Sequence, residues 1–444
     1  ADFDDEQIQQ FINNWFQGKD DKQAQTSNKC WELLQKPENE AAKELAHTPL
    51  LLTFLCLVYD RSQNFPNNRS MLYKKALRIL LDEWASEKRI LRDEIYQGLH
   101  TELEELLLSE IAYAGFKSNR LFFSPREIVE QIKTFLASNL NAPQHLDGEA
   151  VLNAIAIQQG ILVERAEDVF SFSHLTLQEY LTAQYIDDYR LVEKSVTEHL
   201  TDQRWKEVFL LVAGVMRGGA DDLLLLMEKE AQRYINTPKL QTLLNWAEEV
   251  TVGSQGDYKP VGKRAVAIAN AYAYAYANTY ANAYAYAYAI ANAYAYAIAN
   301  AYANAYAYAI ANAYAYANAM DITRSIKYII KYIEEVEESK IYNHNLNLTA
   351  LLTELTTIEA KIPDSSQPEE VHRDFAENLI ITFLKSFNLT PEIVNLSKEE
   401  IKALDNFLYA NYLIIQCKEA AVRVFPKTWE AIEGRMLLAT NNNV

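Results

Sequence analysis

His174 is the residue best placed to do chemistry. It follows Val169 to Ser173, whose alternation predicts a short strand, and precedes an amphipathic helical pattern. Thr176 is a candidate N-cap with Glu179 three residues on, which is the capping-box spacing. A histidine just upstream of a helix start stands where unpaired backbone N–H groups and the helix dipole favour an anion such as phosphate. The plain alternative is a side chain that only seals the strand-to-helix corner. No fuller catalytic set accompanies it. The sequence has no Gly-x-x-x-x-Gly-Lys-Ser/Thr loop, no apolar strand ending in paired acids for magnesium, and no Gly-x-Ser-x-Gly elbow. The seven histidines lack a paired-ligand spacing, so no metal is expected.

Those residues have to be positioned by a long, acidic chain. At 444 residues about three domains are expected. A net charge of −18 and a pI near 5.0 argue against broad binding to nucleic acid or to an anionic membrane. Cys30, Cys56 and Cys417 are far apart and sit in apolar helical patterns, so they are expected to be reduced core thiols of a cytoplasmic protein.

The first block predicts helices. Ile8, Phe11, Ile12, Trp15 and Phe16 share one face, with Asp4 or Asp5 as cap. Thr48 and Pro49 announce another helix, since the missing N–H of proline is harmless at the first helical position. The apolar run from Leu50 to Tyr59 suits a buried helix and is too short for a bilayer. Near 92 to 187 the pattern is that of a winged helix. Ser124-Pro opens one helix, Leu146 to Gln159 supplies a second ending at Gly160, and Ile161 to Phe172 forms a hairpin wing. Winged helices can bind DNA, but the helix that would enter the major groove carries Asp147 and Glu149 and no Lys or Arg, so nucleic acid is not favoured. Trp205, Phe209 and Val212 share a face of a later helix and are expected in its core.

Phe172, Ser173, His174, Thr176, Leu177, Gln178, Glu179 and Tyr180 together resemble the winged-helix signature of the NACHT family of STAND NTPases. The stretches from His47 to Val58 and from Phe65 to Tyr73 resemble the helical domain that follows the NTPase core in that family. Residues 411–422 with 429–437 resemble its C-terminal helical domain. The resemblance implies that the residue matching His174 reads nucleotide phosphates, and that the proline matching Pro49 abuts the base. Pro49 as an ordinary helix starter explains the residue equally well. By the same resemblance the chain is expected to be a C-terminal portion of a larger protein whose NTPase core lies upstream. ADP or ATP would then be bound only through the intact protein, with GTP still open, and the domains would be closed at rest. Homo-oligomerisation on an unknown trigger and a role in antiphage defence complete the expectation. The chain begins at Ala1 without a methionine, which fits it, and alone it is not expected to hydrolyse nucleotide.

Between Arg264 and Asp321 no residue is charged. Every odd position from 265 to 319 is Ala except Thr279, and the even ones are mostly Tyr or Asn with a few Ile. Strict alternation is formally a strand signal, yet Ala is the best helix former and no Gly or Pro interrupts the run. Long helix is the favoured reading, with a β-stack or a low-complexity segment as alternatives. The tract is either a sensing or self-association surface or a spacer expanded by repeat slippage. Repeated Asn makes it too polar for lipid.

The expected fold is mostly α. It comprises a helical domain (1–92), a winged-helix domain with a small β-hairpin wing (93–187) and a helical linker domain (188–250). A linker (251–262), an Ala/Tyr/Asn tract (263–320) and a C-terminal helical domain (321–444) complete it. Two other functions stay open, a helical scaffold for protein interaction without a nucleotide role, and a winged-helix transcription regulator.

Overall fold

The computed structural model describes residues 3–66, 68–78, 101–139, 147–276 and 319–439, with residues 81, 99 and 290. Among these the chain is helical apart from one two-stranded antiparallel hairpin, which is the expected mostly α fold with a small wing. It divides into two units. The first holds Ala1–Glu198, Asp202–Ala220 and Cys417–Val424, and the second holds His199–Thr201, Asp221–Gln416 and Phe425–Val444.

The first unit opens with α1 (Asp5–Trp15). Asp4 accepts from the Gln7 backbone N–H, and Gln7 answers reciprocally, satisfying two donors at the helix start. Ile8 and Ile12 are buried on its inner face, as is Phe16 just beyond its end. Phe11 and Trp15 stack at 5.9 Å on the more open side, so the predicted stripe is only partly inside. Three short helices follow, α2 (Lys19–Ala24), α3 (Thr26–Leu34) and α4 (Glu40–Ala46). Helix α5 (Pro49–Ser62) starts with Pro49 at its first position and buries Leu52, Phe54, Leu55 and Cys56. Its length and burial are those of a core helix. No described helix is long and apolar enough to cross a membrane. Burial pushes the thiols of Cys30 and Cys56 up, that of Cys56 to about 12, so both are inert thiols of the apolar core.

Helix α6 (Arg69–Arg78) packs on α5, and α7 (Thr101–Lys117) follows. Helix α8 (Pro125–Ser138) carries a complete capping box between Ser124 and Glu127. Helix α9 (Gly148–Asn153) runs into a π-helical turn over Ala154–Gln159, and Gly160 ends it at φ +65°, the left-handed conformation a glycine adopts without strain. The wing is β1 (Leu162–Ala166) against β2 (Val169–Phe172), with Leu162 opposite Phe172. Helix α10 (Leu175–Asp188) then packs against α6, α7 and the later α12 (Lys206–Val215), beyond α11 (Val192–His199). Gly115 on α7 makes room for the Phe123 ring and for Gln178 of α10, which a Cβ there would meet at 2.4 and 3.0 Å. Trp205, Phe209 and Val212 are all buried, and Trp205 meets Phe116 edge-on at 5.2 Å.

The second unit contains α13 (Asp221–Gln232), α14 (Pro238–Thr251), α15 (Pro260–Tyr276) and α16 (Ala319–Ser339). It continues with α17 (Leu348–Glu359), α18 (Glu369–Ser386), α19 (Pro391–Val394), most of α20 (Lys398–Ala420) and α21 (Pro426–Arg435). Helix α15 carries the start of the Ala-rich tract as core, with Ala265 to Ala269 fully buried against α14. Arg264 at its base is 2% exposed and pairs with Glu248 at 3.0 Å while donating to the Gly434 carbonyl. The middle of the tract lies outside the described residues, apart from helical Ile290. In α20, Leu404, Phe407, Leu408 and Ile415 are buried and Tyr412 is half-buried; around α21 Ile432, Met436 and Leu437 are buried and Trp429 is half-buried.

Candidate functional site

His174 is itself the N-cap of α10, in extended backbone conformation at φ −144°, ψ 145°. Its Nδ1 accepts the backbone N–H of Thr176 at 3.2 Å and lies 2.7 Å from the Thr176 hydroxyl. An imidazole nitrogen that accepts an amide proton carries none of its own, so the neutral ring has its proton on Nε2. Nε2 is thereby a hydrogen-bond donor, at the end of a long helix where anions are stabilised.

This corrects the expectation that Thr176 caps the helix with Glu179 as its partner. The helix starts two residues earlier than that, Thr176 lies inside its first turn, and Glu179 faces the core. The physical reason is tertiary. Glu179 is only 8% exposed and lies in a cluster with Arg69 of α6 and Glu207 of α12. Arg69 grips Glu207 with one nitrogen 2.7 Å from each carboxylate oxygen. Burial, then the nearby Glu207 charge, push the Glu179 carboxyl up to about 8, with Arg69 opposing them.

The ring of His174 is held from behind. Tyr73 of α6 shares a side-chain hydrogen bond with Thr176, the residue that engages Nδ1, and packs 6.0 Å from Tyr180. Burial is the first cause that pushes the Tyr73 phenol well above its ordinary range, so it stays a neutral hydrogen-bonding group. From the wing, Arg165 donates Nε to the Ser171 hydroxyl at 3.0 Å and an Nη to the Ser173 carbonyl at 2.8 Å. A guanidinium is thus anchored next to the residue preceding His174. Ser173 Oγ is buried and makes no hydrogen bond. Sequence reasoning missed Arg165 because only the hairpin register brings it to Ser173, eight positions away.

Pro49 occupies the first position of α5, half-buried, with its carbonyl accepting the Thr53 hydroxyl at 3.0 Å. The Thr48 side chain makes no capping bond there. Just upstream, the Phe3 N–H donates to the His47 carbonyl at 2.6 Å, and His47 Nδ1 lies 2.6 Å from the Phe3 carbonyl. Pro49 and His174 therefore open different helices, α5 and α10, and α6 packs against both. The Nε2 donor at the start of α10 can meet an anion, whereas Pro49 acts in the structure as a helix starter.

Residues 69–186 match the family model of the winged helix-turn-helix domain C-terminal to NACHT. Residues 351–439 match that of NACHT C-terminal Helical domain 2. The chain is a C-terminal portion of a NACHT-family protein. The first match begins at α6, so the helix that carries Arg69 and Tyr73 lies within the same module as His174. Both matched models are accessory domains of NACHT proteins, and neither is the nucleotide-hydrolysing core. No curated protein matches this NACHT C-terminal portion.

Proposed function

We propose that this chain is the regulatory and sensing part of a NACHT-type signal-transducing NTPase of the cytoplasm, acting in antiphage defence. At rest its helical and winged-helix domains close over ADP held by the NTPase core of the same protein. Activation opens that closure, admits ATP and releases oligomerisation. His174 lies at the phosphates and Pro49 at the base. The reading is carried by His174, whose Nδ1 is engaged by the Thr176 N–H, making Nε2 a donor at the start of α10. Arg165, anchored on the Ser173 carbonyl, adds a cation beside it.

The test is the nucleotide content of the purified protein that includes the NTPase core, in wild type, His174→Ala and His174→Asn. Asparagine is a good N-cap and alanine a poor one, so alanine costs about 1 kcal/mol of stability that asparagine spares. ADP retained by wild type and lost by both variants is the expected result. Retention in His174→Asn with loss only in His174→Ala would reduce His174 to a structural corner. A wild type without nucleotide would favour the helical-scaffold reading.

A further inference from the structure

The winged helix carries a groove of about 610 Å³ that is separate from the His174 corner. It is walled by α8, by α9 and by the wing. The floor is apolar, made by Val129, Leu152 and Phe170, all buried in the module's core. The rim is charged and uneven. Glu149 on α9, with Glu164 and Asp168 on the wing, make two walls whose groove-lining charged groups are all acids. The α8 wall is mixed, with Arg126, Glu130 and Lys133. Lys133 and Glu130 approach to 4.0 Å as an exposed pair, which leaves Arg126 as the net positive charge of that side, against the three acids of the other two walls. Glu164 also accepts the Asp168 N–H at 3.3 Å, which holds the wing turn in shape.

We propose that this groove docks a protein segment that presents basic side chains around an apolar one. The volume lies in the range of sites that enclose a few side chains over an apolar base. An apolar anchor fills the space over Val129, Leu152 and Phe170, while flanking Lys or Arg residues face the acids of α9 and the wing. The same charge arrangement works against the usual occupant of a winged helix. Phosphates of a duplex lying in the groove along α9 and the wing would meet Glu149, Glu164 and Asp168, with no cation lining the groove on those two walls. The winged helix is here a peptide-docking module of acidic character.

The experiment uses the full chain and three fluorescent probes at about 0.1 M salt, where screening acts over about 10 Å. They are a short capped peptide of alternating lysine and leucine, the same peptide with glutamate for lysine, and a short DNA duplex. Anisotropy reports binding. Two variants keep the fold intact. Glu149→Gln with Asp168→Asn removes one charge from each acidic wall, and asparagine tolerates the positive φ of 58° at position 168. Asn153→Trp, at an exposed groove position, fills the space instead. The lysine peptide is expected to bind, to weaken roughly tenfold in the charge variant, and to be excluded by Asn153→Trp. The glutamate peptide and the duplex are expected not to bind. The proposal is overturned if the lysine peptide does not bind, if either variant binds it as wild type does, or if the duplex binds in its place.

Discussion

Two buried polar clusters make an instructive contrast. Beneath α10 the polar groups are ionisable, with Arg69 paired to Glu207, Glu179 beside that pair and Tyr73 close by. Beneath α15 they are neutral. The Asn270 amide, fully buried, accepts the Tyr332 hydroxyl on Oδ1 and donates to the Tyr342 hydroxyl at 2.6 Å. A neutral amide with two phenols has fixed donors and acceptors and a constant charge near neutral pH. Glu179, buried beside the Arg69–Glu207 pair, does not, because burial makes its ionised form costly and its charge changes with pH. The first arrangement is suited to change state, the second to hold one register. The titratable cluster lies directly behind His174, and the neutral one secures the start of the Ala-rich tract.

The contrast breaks most visibly at Arg69. Removing it leaves Glu207 and Glu179 facing each other with no cation between them. Arg69→Met keeps much of the stem packing and is expected to cost about 3 kcal/mol in urea unfolding, because one partner of a largely buried pair is stranded. Adding Glu207→Gln should recover part of the loss. A cost under about 1 kcal/mol, in the range of an ordinary surface change, would mean that the cluster does not depend on the guanidinium.

Glu179 gives the pH signature. An unfolded glutamate titrates near 4.5, and here burial raises the folded value to about 8. Between those values the folded protein holds a proton that the unfolded chain has released, so stability is full at the acid end and falls as pH rises toward 8. Glu179→Gln keeps the shape and removes the titration. It should remove most of that fall between the two ends of the window. Parallel pH profiles for wild type and variant would show that Glu179 is ionised throughout.

Much of this was legible in the sequence, where the signal is local. The cap at Asp4, one of two candidates, the helix start at Ser124 and Pro125, the Gly160 helix end and the buried face of Trp205, Phe209 and Val212 are all set by spacing. The placing of Thr176 as a cap failed because its spacing to Glu179 is compatible with a helix that starts earlier. Only the Arg69–Glu207 pair, contributed by α6 and α12, decides that Glu179 turns inward. Arg165 was hidden for a similar reason, since its partners are chosen by the hairpin register. Alternation in the Ala-rich tract left helix, strand and low-complexity readings open. Helix α15 settles its first residues, held by partners 62 and 72 positions away in sequence.

The neutral cluster completes the comparison. Asn270→Leu preserves volume but withdraws both hydrogen bonds from Tyr332 and Tyr342 inside the core of the second unit. The expected cost is about 1–2 kcal/mol, the usual range when buried polar groups lose a partner. Unlike the effect of Glu179→Gln, this loss should be the same at pH 5 as at pH 8, because no group in the Asn270 set changes charge in that window. Urea unfolding of the variant at both ends of the range measures it. A pH-dependent loss would mean that an ionisable group is coupled to Asn270, and the division between a titrating cluster and a fixed one would fall. A flat loss would mark Asn270 as a pH-independent anchor of α15, whatever occurs around His174.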